Sequence, residues 1–232
     1  MSLRPLMKEA LEAAKNDEIP IVIAPTGYGK TIATLPIHEY VKKNNLARGV
    51  IHVSPLRTLV EKVFEDIFCC EGGIQAYGLN EKKKEKKSPY LLRSPLAITL
   101  DSFILSLYRL PIPEIIKIEK GYSAGHYYPT LSAIKSSLII FDEAHLALES
   151  NERTGYEALV AGVTALAKMG VRFMIETATL RPNVIGRLVS QMRGAKVKIL
   201  LLGEEGSNYV KKLNDAVKGR AEIRVMEDDK FT

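Results

Sequence analysis

Two glycines, a lysine and a threonine follow a short apolar run near the start of the chain. Residues 20–24 lead into a loop made of Pro25, Thr26, Gly27, Tyr28, Gly29, Lys30 and Thr31. Glycine permits backbone conformations in which amide N–H groups converge on phosphate oxygens at a helix N-terminus. Lys30 would neutralise terminal phosphates, and the Thr31 hydroxyl would ligate Mg2+. We therefore predict that Ala24 to Thr31, the phosphate loop, binds a nucleoside triphosphate; the alternative is a turn without a ligand.

Two acids and a histidine follow another apolar run. Residues 137–141 end in Asp142, Glu143, Ala144 and His145, which we term the acidic segment. A carboxylate beyond a buried strand can hold Mg2+ through its water shell, a role that falls to Asp142. Glu143 can orient and deprotonate a water molecule, and His145 can sense the γ-phosphate. The two acids could instead cap a helix, but together with the phosphate loop they form two halves of one Mg-ATP site.

Alternating elements must position these groups. The apolar patterns predict strands at residues 20–24, 49–53, 95–100, 137–141, 171–175, 197–202 and 221–226. They predict helices at residues 4–16, 31–43, 58–68, 156–169 and 208–217, with Pro36 inside the second helix. Such an alternation indicates an α/β fold with a parallel sheet and helices on both faces, and with ligands at the carboxyl ends of the strands.

Composition and charge narrow the class of protein. The 232 residues are 46% apolar and 26% charged, which is typical of an ordinary globular protein and of a single large α/β domain. The net charge of +6 favours a polyanionic partner, although it also serves solubility. A lysine-rich run at residues 81–87 is predicted to lie in an exposed loop, either as a solvated charge run or in contact with nucleic acid.

The cysteines and the N-terminal residues indicate the cellular compartment of the protein. Cys69 and Cys70 are adjacent, a spacing that suits neither an ordinary disulfide nor a zinc site, and we predict buried thiols in a reducing compartment. The N-terminus lacks the apolar core of a signal peptide, and no apolar run approaches membrane-spanning length. We therefore expect a cytoplasmic protein without a membrane partner.

Five segments in order give the chain its resemblance to the superfamily 2 helicases. The phosphate loop resembles motif I, and Ser54, Pro55 and Arg57 resemble motif Ia, whose residues contact the backbone of a bound strand. Thr99 and Asp101 are similar to a further strand-contacting motif. The acidic segment matches the DEAH form of motif II, and Thr177, Ala178 and Thr179 match motif III, which couples hydrolysis to domain movement. The resemblance implies a RecA-like first motor domain; without it, Arg57 would be a surface arginine and residues 177–179 a polar strand end.

The residues of these motifs are similar to those of the helicase of type I CRISPR interference systems. That resemblance implies single-stranded DNA and a CRISPR surveillance complex as partners. The four histidines, His38, His52, His126 and His145, form no histidine-aspartate nuclease pattern, so a nuclease would be another chain or a segment outside this sequence. Many relatives carry a glutamine upstream of motif I that contacts adenine. Here the matching position is Met7, so the resemblance does not imply a preference for adenine.

No segment resembles the second motor domain, which supplies arginine fingers in these helicases. We expect residues 1–205 to be the ATP-binding RecA-like domain and residues 206–232 to lead toward a second motor domain in a longer chain or a partner. A missing arginine finger costs about three to five orders of magnitude in rate, so weak or absent ATPase activity is expected. The rival hypotheses are a P-loop kinase or metabolic ATPase without nucleic-acid affinity, and a half-motor that binds a strand or partner without catalysis.

Overall fold

The computed structural model describes residues 3–79, 81–122, 125, 127–149 and 153–228, so His126 lies outside the described residues. The strands in this part of the chain are β1 (Ile19–Ile23), β2 (Val50–Ser54), β3 (Gly73–Gln75), β4 (Leu96–Thr99), β5 (Leu138–Phe141), β6 (Phe173–Thr177), β7 (Val197–Leu202) and β8 (Ala221–Met226). The α-helices are α1 (Pro5–Lys15), α2 (Lys30–Lys43), α3 (Arg57–Lys62), α4 (Glu81–Lys84), α5 (Leu100–Leu107), α6 (Ile112–Glu119), α7 (Tyr127–Lys135), α8 (His145–Leu148), α9 (Arg153–Lys168), α10 (Pro182–Gln191) and α11 (Asn208–Val217).

The predicted α/β class with a parallel sheet is confirmed. The described strand registers are all parallel. Every residue of β1, β2, β4, β5 and β6 is buried, so both faces of these strands are covered. This burial explains why they read as continuous apolar, β-branched runs rather than as alternating patterns.

The chain divides into two compact units. The first consists of Met1–Ala33 and Phe141–Thr232. Its strands lie in the order β6, β1, β7, β8. Ile21 of β1 is in register with Ile175 of β6 on one side and Ile199 of β7 on the other. The carboxyl ends of β1 and β6 therefore meet at one edge, which is where the phosphate loop begins.

The second unit consists of Thr34–Ile140, and its strands lie in the order β3, β4, β2, β5. Ser54 and Thr99, the last residues of β2 and β4, are in register. Beside these strands, eight residues form a buried apolar cluster: Val60, Val63, Phe64, Phe68, Ile74, Ala76, Leu79 and Ala97.

Several predicted elements agree closely with the structure, and others differ. The helices α4 to α8 and α10 were not predicted, and the strand predicted at residues 171–175 is β6, Phe173–Thr177. The last two strands and the helix between them match the predicted bounds, and α2 continues through Pro36. The single helix predicted at residues 58–68 is instead α3 followed by a π-helical turn over Val63–Ile67. The three-residue strand β3 was not predicted because it begins with glycine and is too short to show a period.

Residues 206–228 are continuous with the first unit. Helix α11 begins after Ser207, whose side chain accepts a hydrogen bond from the Val210 N–H, and it is followed by β8, which pairs in parallel with β7. The assignment of residues 206–232 as a lead into a second motor domain stays a prediction.

Two predictions about exposure were wrong. Cys69 and Cys70 are exposed rather than buried, because both lie in the turn after the π-helical turn with left-handed backbone conformations, φ 49° and 61°. The lysine-rich run is not wholly an exposed loop. Its first four residues form α4, and Lys83 is buried, with its ammonium group paired to the carboxylates of Glu61 and Glu65.

Candidate functional site

The phosphate loop connects β1 to α2 and depends on its two glycines. Gly27 and Gly29 have φ angles of 87° and 93°, a region that other residues rarely adopt. A Cβ atom added at Gly27 would have no atom within 4 Å, so the space beside this residue is open. Helix α2 begins at Lys30, and its first N–H groups therefore lie directly after this open turn.

Lys30 is buried and holds the start of the loop together. Its Nζ donates hydrogen bonds to the carbonyl oxygens of Ala24 at 2.7 Å and Pro25 at 3.2 Å. Ala24 is itself bound at the edge of the sheet, since its N–H donates to the Thr177 carbonyl at 3.1 Å. The ammonium group is thus positioned by backbone at the mouth of the loop.

Tyr28 faces the protein interior and anchors the phosphate loop to α1. Its ring is 1% exposed, its hydroxyl accepts a hydrogen bond from the Leu6 N–H at 3.3 Å, and the Arg4 guanidinium lies 5.0 Å from the ring centroid. Burial raises the pKa of the Tyr28 phenol. Its side chain thus supports the loop from within. Met7, at the position of the glutamine found in many relatives, is buried in the same helix.

The acidic segment and the phosphate loop meet through one hydrogen bond. The Thr31 hydroxyl donates to Asp142 Oδ2 at 2.7 Å, and the Glu143 N–H donates to Asp142 Oδ1 at 2.8 Å. Asp142 follows β5 directly and is buried. A hydroxyl and a carboxylate held together in this way are the oxygen donors that Mg2+ prefers.

His145 contacts both the acidic segment and the end of β6. Its Nδ1 lies 3.3 Å from Glu143 Oε2 and 3.3 Å from the Thr177 hydroxyl. Because that hydroxyl donates its hydrogen to the Thr179 carbonyl at 3.0 Å, the contact requires the imidazole hydrogen on Nδ1. The predicted catalytic residue Glu143 and the predicted coupling residue Thr177 therefore both contact the His145 ring.

Strand β6 also joins these parts through its backbone. The Ala144 N–H donates to the Glu176 carbonyl at 3.1 Å, and Ile23 is in register with Thr177. Beyond β6, Ala178 and Thr179 line a cavity of about 710 Å³ that Ala24 and Pro25 also line. All of the predicted nucleotide, metal, catalytic and coupling residues belong to the first unit.

Glu176 lies next to the candidate site and was not predicted from the sequence. It is fully buried, and neither carboxyl oxygen has a hydrogen-bond partner among the described residues. Burial raises the pKa of this carboxyl well above 4.5; the charges of Asp142 and Glu143 raise it further, and Lys30 opposes them. The signal that could have revealed it is an acid within the apolar strand β6, since a buried carboxyl is costly without a partner.

The predicted strand-contact residues belong to the second unit. Ser54 is buried at the end of β2, with no hydrogen-bond partner for its hydroxyl in the described part of the chain. Thr99, in register with it, donates to the Ser102 hydroxyl at 3.0 Å. Pro55 precedes α3, while Asp101 is exposed in the first turn of α5. Arg57, the first residue of α3, has a side chain that is 51% exposed and bonded to Glu61 at 2.6 Å.

Within the ranges that the structure describes, no helix combines the length and apolar character needed to span a bilayer.

Comparison with known proteins gives both a family and individual relatives. The sequence profile of the DEAD/DEAH box helicase family matches residues 4–187. The chain is similar to the ATP-dependent RNA helicase ROK1 of Yarrowia lipolytica, with 24% identity over 210 residues, covering 87% of this chain and 36% of that protein. It is also similar to the CRISPR-associated helicase Cas3 of Thermoproteus tenax, with 27% identity over 188 residues, covering 75% and 33% respectively. A ROK1 protein of Eremothecium gossypii is 26% identical over 214 residues, covering 88% and 35%. The chain thus spans about a third of the length of the curated relatives it matches.

Proposed function

The chain belongs to the DEAD/DEAH box helicase family, and on that premise we propose that it is the first, ATP-binding motor domain of a nucleic-acid helicase or translocase. The observation that carries the proposal is the hydrogen bond from Thr31 to Asp142, at 2.7 Å. It places the hydroxyl of the phosphate loop against the first carboxylate of the acidic segment, although the two residues lie on different elements. A glycine-rich turn without a ligand requires no such carboxylate.

The residues present fit Mg-ATP. The loop is open at Gly27, its lysine is buried at the mouth, and a hydroxyl and a carboxylate lie together at its end. In this proposal Lys30 and the amide groups of residues 24–31 bind the phosphates, while Thr31 and Asp142 hold the ion. Bound Mg2+ would neutralise charge on the phosphate oxygens during transfer.

Glu143 and His145 have complementary roles in the proposed reaction. Glu143, one residue beyond Asp142, orients the attacking water and accepts its proton. The imidazole of His145 contacts both Glu143 and Thr177. A change at the acidic segment would therefore reach residues 177–179 through this ring, which supports their proposed role in coupling hydrolysis to movement.

The proposed nucleic-acid contacts are made to the backbone of a single strand. Ser54, Pro55, Arg57, Thr99 and Asp101 lie at or beyond the ends of β2 and β4. Contacts to phosphate and sugar suit a motor that moves along any sequence, and they weaken steeply with salt. We favour DNA as the bound strand, because the residues of the motifs are similar to those of the CRISPR interference helicase. Two of the similar proteins are named as RNA helicases, so DNA and RNA must be compared directly.

The proposed partners follow from this role. A second RecA-like domain, in a longer chain or in a partner protein, would complete the ATP cleft and supply the arginine fingers. If the CRISPR role is correct, a separate nuclease and a surveillance complex are further partners. The 232-residue chain alone is expected to hydrolyse ATP weakly or not at all.

The test is strand-stimulated ATP hydrolysis at low salt. It compares the 232-residue chain with a longer polypeptide that adds the second motor domain, each with a Lys30→Ala variant, and uses single-stranded DNA and RNA of one sequence. We expect only the longer polypeptide to turn over, and Lys30→Ala to abolish that activity. Nucleotide binding without any response to a strand would favour a metabolic P-loop ATPase. Strand binding without turnover in either polypeptide would favour a non-catalytic half-motor.

A further inference from the structure

One carboxylate in the second unit is shared between two cations. Glu61 Oε1 accepts from Arg57 Nε at 2.6 Å, and Glu61 Oε2 accepts from Lys83 Nζ at 2.5 Å. Lys83 also contacts Glu65 Oε1 at 2.7 Å. The four side chains therefore form a chain of ion pairs in the order Arg57, Glu61, Lys83 and Glu65.

The two cations differ in exposure. The side chain of Lys83 is 10% exposed, whereas that of Arg57 is 51% exposed. Lys83 is thus committed to carboxylates inside the fold and does not present its ammonium group to solvent. Arg57 keeps half of its surface open beyond the end of β2, beside the proposed path of the strand.

The position of Arg57 is also set by a nearby turn. A Cβ atom placed on Gly78 would lie 2.8 Å from Arg57 Nη1, and Gly78 has a φ of 68°. The guanidinium therefore packs against this turn on one side and against Glu61 on another. A strand phosphate would therefore compete with the Glu61 carboxylate for the charge of this guanidinium.

Lys83 controls how strongly Glu61 competes for Arg57. The hydrogen bond from Lys83, followed by that from Arg57, holds the pKa of Glu61 below its usual value, so the carboxylate stays charged at neutral pH. A charged carboxylate with a second cation attracts Arg57 less than one with no other partner, because the positive charge of Lys83 offsets it at close range.

We propose that Lys83 is a positioning residue for strand binding, which neutralises Glu61 so that Arg57 can exchange this carboxylate for a phosphate of the bound strand. The inference rests on the proposed function, since it requires that Arg57 contacts the strand. It assigns the lysine-rich run a role through one buried member rather than through direct contact.

A double-mutant cycle tests the proposal, with binding of fluorescein-labelled oligo(dT) and oligo(U) to the 232-residue chain at low salt. Lys83→Met is expected to weaken binding about two- to fivefold, the scale of a partly exposed ion pair. Glu61→Gln is expected to tighten binding, and Lys83→Met is expected to have no further effect in the Glu61→Gln background. Lys84→Met, which removes an exposed charge from the same helix, is the matched control and should change binding less.

Each other outcome has a definite meaning. An equal loss from Lys83→Met in both backgrounds would overturn the proposal in favour of direct phosphate contact by Lys83. Weaker binding of Glu61→Gln would also overturn it, and this variant keeps the Lys83 to Glu65 pair, so it stays informative if Lys83→Met fails to fold. If Arg57→Ala leaves binding unchanged, the strand-contact part of the proposed function fails as well. If Arg57→Ala weakens binding but the cycle shows no coupling, only the inference fails.

The salt dependence separates the two mechanisms further. Each strand phosphate neutralised by the protein contributes about 0.7 to the slope of log affinity against log salt. Arg57→Ala should lower that slope. In the Glu61→Gln background, Lys83→Met should leave the slope unchanged, because Lys83 itself touches no phosphate.

Discussion

Thr31 and Asp142 are joined by a 2.7 Å hydrogen bond from the threonine hydroxyl to Oδ2, across 111 positions of sequence. The bond brings the end of the phosphate loop to the start of the acidic segment, and the second oxygen of Asp142 is held by the Glu143 N–H. These two hydrogen bonds orient both carboxylate oxygens of Asp142. Asp142 and Thr31 are therefore the pair whose replacement bears most directly on the proposed Mg2+ site.

Asp142→Asn is expected to reduce the gain in ATP affinity that Mg2+ provides by about tenfold, since an amide oxygen is a weaker donor to a divalent cation. The measurement is a fluorescent ATP titration with Mg2+ and with EDTA. Asp101→Asn, an exposed position in the second unit, is the control and should preserve the gain. An unchanged Mg2+ response in Asp142→Asn would rule out this carboxylate as the metal-binding group.

Lys30→Ala is expected to weaken ATP binding by at least tenfold, because a buried ammonium bonded to phosphate is a strong, charge-assisted contact. Binding of a single strand without nucleotide should be unchanged, since the strand-contact residues lie on other elements. Lys43→Ala, at the exposed end of the same helix, controls for loss of charge. Equal affinities for ATP in wild type and Lys30→Ala would show that Lys30 does not contribute to ATP binding.

Glu176→Gln is expected to stabilise the fold in metal-free buffer, and increasingly so as the pH rises. The pKa of Glu176 is raised in the folded state by burial first and by the charge of Asp142 second. The folded chain therefore binds this proton more tightly than the unfolded chain. The stabilisation that this tighter proton binding gives to the fold is complete below about pH 4.5. It is lost as the pH rises through the pKa that Glu176 has in the folded state.

Urea unfolding of Glu176→Gln and wild type between about pH 5 and 8 measures this difference. Glu204→Gln, at an exposed position in the same unit, is the control and should show no such trend. A stability difference that stays constant with pH would show that Glu176 ionises normally in the fold.

His38 is expected to make the fold acid-sensitive. Burial, followed by the charge of Lys42, lowers the pKa of His38 from 6.5 to about 4, and its Nδ1 accepts a hydrogen bond from the Val50 N–H, which protonation would abolish. The unfolded chain takes up this proton more readily than the folded chain. The free energy of unfolding is therefore highest above about pH 6.5, and it falls by about 2 to 3 kcal/mol as the pH is lowered toward 4.

His38→Asn provides the comparison, because an amide oxygen can accept from Val50 but does not titrate in this range. The slope of unfolding free energy against pH between about 4.5 and 6.5 should be smaller in the variant than in wild type. Identical slopes would mean that another group carries the acid sensitivity.

The amino-acid sequence by itself was sufficient for the fold class and for the order of the motifs. Buried parallel strands need continuous apolar runs, and turns that bind phosphate need glycine, so both leave local patterns along the chain. The phosphate loop, the acidic segment and the last strands of the sheet could be located in this way. The π-helical turn and the short β3 could not, because neither has a distinct local pattern.

Only the tertiary structure decided which way individual side chains face. Tyr28 is part of the phosphate loop in the sequence, yet its side chain contacts α1. Lys83 is part of a charged run, yet its side chain is paired with two carboxylates. Glu176 lies within an apolar strand as an unpartnered acid beside the site. Each of these outcomes depends on partners distant in sequence, and the balance between desolvation and pairing is set only when the chain brings those partners together.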